Sequence, residues 1–273
     1  MVEMARYALA HLDSITEVLR KSPFGLITDV DGTISSTAPT PQQAMVSPLC
    51  RRYLARLCQQ IALVAAISGR PVAQVKEMID IRGVVYIGNH GLERWINGHS
   101  ELSPDARSYL AVINSAVEEL SPVLSIEGMF IEHKGITATV HYRRCPDPKL
   151  AEKHILAAVQ NSPQARKLQV IPGRKAINLL PPVKVSKGTA TLNLIREYKL
   201  HSGIYLGDDV TDIDAFRAIH ASPRGLDFQG LAIGITSEET PERLTKEVDF
   251  TLNGVGDVER FLEWLSQTAS QSG

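Results

Sequence analysis

Phe24-Gly-Leu-Ile-Thr-Asp-Val-Asp-Gly-Thr33 decides how this chain is read. Leu26, Ile27 and Val30 read as a short buried strand, and Gly32 ends it by supplying backbone freedom that a residue with a Cβ lacks. Asp29 and Asp31 lie two apart, so on extended backbone both carboxylates project to one side. Like charges held that close repel unless a cation sits between them or one of them is protonated. A hard divalent ion with oxygen ligands, most simply Mg2+, is the expected guest. The plainer reading is a strand followed by an Asp-Gly turn, and on this stretch alone the two stand level.

The bulk numbers narrow the choice. A chain of 273 residues has room for two domains, or for one with an insertion. An apolar share of 44% with 22% charged residues is the balance of a soluble globular protein. The net charge of -1 gives no support to nucleic acid or an anionic membrane as the partner. The longest apolar runs, such as Ile61 to Ile67, fall far short of a bilayer, and Glu3 and Arg6 stand where a signal-peptide core would lie. A cytoplasmic monomer with no membrane partner is the expectation. Cys50, Cys58 and Cys145 are odd in number and lack metal-ligand spacing, so they read as reduced and structural.

Outward from the opening stretch, residues 4 to 20 carry apolar side chains at helical spacing, and a leading helix is expected there. Thr33 to Pro48 is rich in Ser, Thr, Pro and Gln, which predicts an exposed loop over the carboxylate pair. Ile61 to Ile67 is a continuous apolar run of the kind found in parallel strands covered on both faces. It ends in Ser68-Gly69-Arg70, where a hydroxyl and backbone N–H groups can hold a phosphate oxygen; a simple N-cap serine is the plainer alternative. Val84 to Ile87 is a further strand, followed by the polar turn Gly88-Asn89-His90-Gly91. Lys187 falls in the first turn of a helix, an unfavourable place for a cation unless an anion is near. The strand Ile204-Tyr-Leu206 runs into Gly207-Asp208-Asp209-Val210-Thr211-Asp212-Ile213-Asp214. Thr211 with Asp214 fits a capping box, whereas Asp208, Asp209 and Asp212 have no such role and call again for a metal.

From about Asn97 the texture changes to helix, strand, strand, repeated. Ile136, Ala138, Val140 and Tyr142 alternate with Thr137, Thr139 and His141, which predicts a sheet with one open face. The expected fold is therefore α/β: a Rossmannoid parallel-sheet core from residues 1–96 and 182–273, with an inserted α+β cap at 97–181.

An Asp pair, a Ser, a Lys at a helix start and an Asp cluster, in that order, resemble the motif set of the haloacid dehalogenase superfamily of phosphohydrolases. The resemblance implies that Asp29 is the nucleophile, that Asp31 is the general acid and later base, and that Ser68 and Lys187 hold phosphoryl oxygens. It further implies Mg2+ on Asp29, the Asp31 carbonyl and Asp208, with Asp209 or Asp212 in support. Gly88-Asn-His-Gly-Leu-Glu93, Ile131-Glu-His-Lys134 with His141-Tyr-Arg143, and Gly207-Asp-Asp-Val-Thr-Asp-Ile-Asp-Ala-Phe216 are similar to the trehalose-6-phosphate phosphatase family. Two positions depart from it: Asn178-Leu-Leu-Pro181 replaces a Glu-x-Arg-Pro pattern, and Ile213 stands where an acidic residue is frequent.

The partner so implied is a small sugar phosphate. Ser68, Gly69, Arg70, His90 and Lys187 are expected to bind it from the core, and Glu132 and Lys134, on one strand face, from the cap that closes over it. Arg143, Arg144, Arg174 and Lys175 read as surface charges. The alternatives are a phosphatase for sucrose phosphate or a glucosyl- or mannosyl-glycerate phosphate, a phosphomannomutase-like isomerase, and a non-catalytic sugar-phosphate binder. Retention of the nucleophile and the acid argues against the last, and Asp31 would have no job in a dehalogenase.

Overall fold

The computed structural model describes residues 5–36, 43–173, 175–221, 227–237, 240 and 242–270. Its strands are β1 (Arg6–Tyr7), β2 (Phe24–Thr28), β3 (Leu63–Ile67), β4 (Val85–Gly88), β5 (Glu93–Ile96), β6 (His99–Leu102), β7 (Phe130–His133), β8 (Ala138–His141), β9 (Gln169–Gly173), β10 (Ala176–Leu180), β11 (Ser202–Gly207), β12 (Gln229–Thr236) and β13 (Phe250–Asn253). The helices are α1 (Leu12–Leu19), α2 (Pro48–Leu57), α3 (Val72–Ile79), α4 (Pro104–Arg107), α5 (Leu110–Leu120), α6 (Pro148–Asn161), α7 (Lys187–Glu197), α8 (Ile213–His220), α9 (Glu242–Thr245) and α10 (Gly254–Ala269). The chain divides into two compact units, Met1–Ser100 with Val185–Gly273, and Glu101–Lys184.

The first unit is built on a sheet of order β1-β13-β12-β11-β2-β3-β4-β5-β6. From β1 to β4 every neighbour is parallel, and β5 returns antiparallel on β4. Side chains alternate across each strand, so the runs read as continuously apolar because both faces are covered. Leu26, Val64, Ala66 and Leu206 face a core with α1, α2, α3 and α10, while Ile27, Ala65, Ile67 and Tyr205 face another with α7 and α8. Each fully buried Leu or Ile contributes about 2 kcal/mol of transfer free energy. That layer fixes the strand ends, and the functional residues follow them: β2 sits between β11 and β3 and delivers Asp29, β3 delivers Ser68, and β11 delivers Asp208.

The second unit is a four-stranded antiparallel sheet of order β7-β8-β10-β9. Ala138, Val140, Ile177 and Leu179 pack with Ile113, Ala116 and Leu120 of α5 and Ile155 and Val159 of α6. The register Glu132↔Thr139 and Thr139↔Asn178 puts a row of polar side chains on the opposite face. That face is not open at its centre, as the alternation predicts: Thr137, Thr139 and Asn178 are buried, and the Thr139 hydroxyl donates to Asn178 Oδ1 at 2.8 Å.

Several local expectations are corrected. The leading segment is not one helix, because Arg6 and Tyr7 pair with Phe250 and Thr251 at the sheet edge before α1 begins. The segment after Asp31 is not a wholly exposed loop: Thr33, Ile34 and Ser35 are buried, and Ser35 bridges both Asp31 and Val46. Its middle, residues 37–42, lies outside the described residues. The first helix of the helix, strand, strand order expected after Asn97 is two helices, α4 and α5, broken at Ser108-Tyr109. The capping box belongs to Asp209 and Asp212, not to Thr211 and Asp214. β5 and β6, joined by Asn97-Gly98 at positive φ, were not anticipated in the polar texture there.

Candidate active site

Asp29 leaves the end of β2 with its N–H bonded to the Leu206 carbonyl at 2.8 Å, and the residue is buried. Lys187, the first residue of α7, reaches it: Nζ lies 2.8 Å from Asp29 Oδ1 and 2.8 Å from Asp212 Oδ1. This answers the unfavourable placement of a cation at a helix start, since two carboxylates surround it. Burial pushes the Asp29 carboxyl up to about 7, aided by the charges of Asp212 and Asp31 and opposed by Lys187. Burial works against the charge on Lys187, but Asp212 and Asp29 outweigh it and hold the ammonium protonated.

Asp212 is the hub of this network. Its Oδ1 also accepts the Tyr205 hydroxyl at 2.7 Å, and its Oδ2 accepts the backbone N–H groups of Asp208 and Asp209 at 3.2 and 3.0 Å. Both of its oxygens are thus engaged in holding other groups. Tyr205 was missed in the sequence, although a phenol in an otherwise aliphatic parallel strand is a signal, because a buried hydroxyl needs a partner. Asp209 caps the turn that follows, its Oδ1 accepting from Val210 N at 2.7 Å.

Asp29, Asp208 and Asp212 present carboxylate oxygens within 4.8 Å of one another, and all three are buried. An all-oxygen acidic set suits a hard divalent cation. With Asp212 occupied, Asp29 and Asp208 are the pair best able to ligate directly. Gly32, at φ +81°, makes room for this: a Cβ there would collide with Asp208 Oδ2. Only glycine combines that backbone with that approach.

Asp31 stands apart from its neighbour. Arg70 grips it with two bonds, Nε to Oδ2 at 2.6 Å and a terminal nitrogen to Oδ1 at 2.7 Å. Its side chain is 39% exposed, against 6% for Asp29. The two carboxylates of the opening stretch therefore occupy opposite environments. Ser68 is buried and is not a helix cap; its hydroxyl accepts from Arg70 N at 3.2 Å, and α3 has Pro71 at its N-cap position, with no side-chain cap. Its first turn is instead served by Glu93, which accepts from Val72 N at 2.8 Å. Burial raises the Glu93 carboxyl, with Val72 N–H and the Asn89 side chain opposing. Glu93 and Asn89 are a second pair that the sequence did not single out in these roles.

His90 is buried with its ring against Gly69. In the second unit, Glu132 accepts from His141 Nε2 at 2.8 Å and lies 3.5 Å from Lys134 Nζ. Burial acts to raise the Glu132 carboxyl, but His141 and Lys134 outweigh it and hold it below its ordinary value. Phe130 stacks on His141 with ring centroids 4.5 Å apart. Arg143, Arg144 and Lys175 are exposed, and Arg174 lies outside the described residues. Cys50, Cys58 and Cys145 are free thiols.

Among known proteins, the family described as trehalose-phosphatase matches residues 27–253. The trehalose-phosphate phosphatase of Mycobacterium avium (strain 104) is 32% identical over 246 residues, covering 87% of this chain and 61% of that protein. That of Mycobacterium leprae (strain TN) is 32% identical over 256 residues, covering 89% of this chain and 58% of that protein. The chain thus spans about 60% of the length of these relatives. The C-terminal domain of C. albicans trehalose-6-phosphate phosphatase superposes with a TM-score of 0.77 at 20% identity, covering 97% of this chain and 99% of that one. A trehalose-6-phosphate phosphatase related protein gives 0.72 at 20% identity, covering 91% of this chain and all of that one. These two share the fold. The matched region contains the Asp29–Lys187–Asp212 network, and with it the chain belongs to the trehalose-phosphatase family.

Proposed function

We propose that the chain is an Mg2+-dependent phosphatase that hydrolyses trehalose 6-phosphate to trehalose and phosphate. The observation that carries this reading is the buried Asp29 carboxylate, held by Lys187 beside Asp208 and Asp212 at the end of a parallel sheet. In the first step Asp29 attacks phosphorus, the bond to the sugar oxygen breaks, and Asp31 gives its proton to that oxygen. In the second step Asp31 takes a proton from water, which attacks the aspartyl phosphate and restores the carboxylate. Ser68, with the Gly69-Arg70 backbone, and Lys187 hold the phosphoryl oxygens, whose charge Lys187 offsets. Asp29 and Asp208, with the Asp31 carbonyl, would hold Mg2+, which would supply further charge neutralisation. Asp212 serves the site through Lys187 and through the backbone of Asp208 and Asp209.

Sugar recognition falls to the second unit, where Glu132, His141 and Lys134 form one connected polar row. Asn178, bonded to Thr139, gives that sheet a neutral amide beside the row. This favours a second reading, in which the sugar is a different phosphorylated disaccharide or glycoside. Phosphate release from a panel of sugar phosphates decides between them. Trehalose 6-phosphate is expected to be the best substrate with Mg2+, with no turnover in EDTA and suppression by excess Ca2+, which favours longer bonds and more ligands. A preference for another sugar, without a bisphosphate activator, would keep the chemistry and replace the substrate.

A further inference from the structure

The turn after β4 holds three successive residues at positive φ. Asn89, His90 and Gly91 take successive φ values of 46°, 60° and 108°. Two adjacent residues with side chains in the left-handed region persist only where their surroundings hold them. Here the Asn89 N–H donates to the Arg70 carbonyl at 2.7 Å and the His90 N–H to the Ser68 carbonyl at 2.9 Å. The Asn89 side chain bonds Glu93, the same carboxylate that serves the start of α3. The His90 ring fills the space where a Cβ on Gly69 would lie, its Cε1 only 2.6 Å from that position. On the other side, a Cβ on Gly91 would sit 2.8 Å from the carbonyl oxygen of Ser186, the N-cap of α7 and the residue before Lys187. One three-residue turn therefore touches both the serine loop and the start of the lysine helix.

We propose that the turn Asn89–Gly91 sets the spacing between Ser68 and Lys187, and that His90 is a positioning residue for the phosphoryl group, not a contact for the sugar. This rests on the phosphoryl-transfer reading above. Ser68 and Lys187 come from elements far apart in the chain, yet must meet oxygens of one tetrahedral group. A displacement of about 1 Å at such a site can cost on the order of a hundredfold in rate. The left-handed conformation lets the turn present backbone to both neighbours at once, with the imidazole packed on the serine loop.

The test uses His90→Gly and Gly91→Ala in the whole chain with Mg2+. Glycine accepts the left-handed backbone but removes the ring from Gly69, whereas the alanine methyl presses on Ser186. The readouts are kcat and KM for trehalose 6-phosphate and for p-nitrophenyl phosphate, the inhibition constant of inorganic phosphate, and the melting temperature. His90→Gly is expected to lose at least about tenfold in kcat/KM on both substrates and to weaken phosphate inhibition, with the ratio between substrates unchanged. Gly91→Ala should move the same quantities in the same direction; if it does not fold, His90→Gly alone decides. A loss confined to the sugar phosphate would make His90 a sugar contact and overturn the inference. A lower melting temperature with unchanged kinetic constants would overturn it too, as a structural role. If the unaltered protein releases phosphate from no monoester, the phosphoryl-transfer reading itself falls and takes this inference with it.

Discussion

The two units solve opposite problems with charge. At the end of the parallel sheet, Asp29, Lys187, Asp212 and Tyr205 are sealed from water, with Lys187 bridging Asp29 Oδ1 and Asp212 Oδ1, and Asp212 also accepting from Tyr205 and the Asp208 and Asp209 backbone. On the polar face of the four-stranded sheet, Glu132 is paired with both His141 and Lys134, but His141 remains partly open to solvent. A sealed network stores a strong, fixed field and tolerates no missing member, because removing one partner leaves a buried charge uncompensated. A partly open row can exchange water for the hydroxyls of a ligand at modest cost. In the proposed function the first arrangement serves bond-making and the second serves selection.

The largest expected effect breaks the sealed network at its reacting atom. Asp29→Asn keeps the shape and removes the proposed nucleophile, so turnover should fall by about 10⁴-fold or more on every substrate, measured as phosphate release. A smaller effect is expected in the second unit. Glu132→Ala and Lys134→Ala should lower kcat/KM for the sugar phosphate by about ten- to a hundredfold, since each leaves a hydrogen-bonding group of the bound sugar unpaired. Hydrolysis of p-nitrophenyl phosphate should be spared. Proportional losses on both substrates would erase the contrast between the units, because Glu132 and Lys134 would then be supporting the chemistry.

Much of this contrast was legible in the sequence, and the reasons are physical. The strands ending in Asp29, Ser68 and Asp208 announce themselves because a parallel strand buried on both faces must be apolar throughout, so a polar residue at its end is conspicuous. Lys187 was marked by its conflict with the helix dipole. What stayed hidden depends on contacts between distant residues. Nothing local says that Arg70 grips Asp31, or that Asp212 turns its oxygens toward Lys187, Tyr205 and two backbone amides. The buried segment Thr33–Ser35 was hidden for another reason: its Ser and Thr side chains carry the composition of a surface loop, while its burial is decided by Val46 and the turn at Gly32.

The smallest expected effect lies away from both regions and calibrates them. His220 Nε2 sits 2.7 Å from Asp249 Oδ2, and that hydrogen bond raises the imidazole above its ordinary value against partial burial. A raised folded value means that the pair stabilises the protein fully below the unfolded value of about 6.5, and that this is lost as pH rises through the folded value. His220→Asn should therefore lower the melting temperature most at acidic pH and least at alkaline pH. The side chain is partly exposed, so screening keeps the effect below about 1 kcal/mol. A difference between the proteins that does not change with pH would show that His220 acts through packing alone.

The central claim is that Asp29 itself receives the phosphoryl group, and it can be observed directly. Asp31→Asn removes the proposed base of the second step, so the intermediate should accumulate. The variant would be mixed with Mg2+ and p-nitrophenyl phosphate, whose leaving group departs without a proton from Asp31, then quenched in acid, digested and examined by mass spectrometry. The expected result is one phosphoryl group on the peptide carrying Asp29, absent from the Asp29→Asn/Asp31→Asn double variant. A phosphoryl group on Ser68, or phosphate release by the double variant at the rate of Asp31→Asn, would contradict the account.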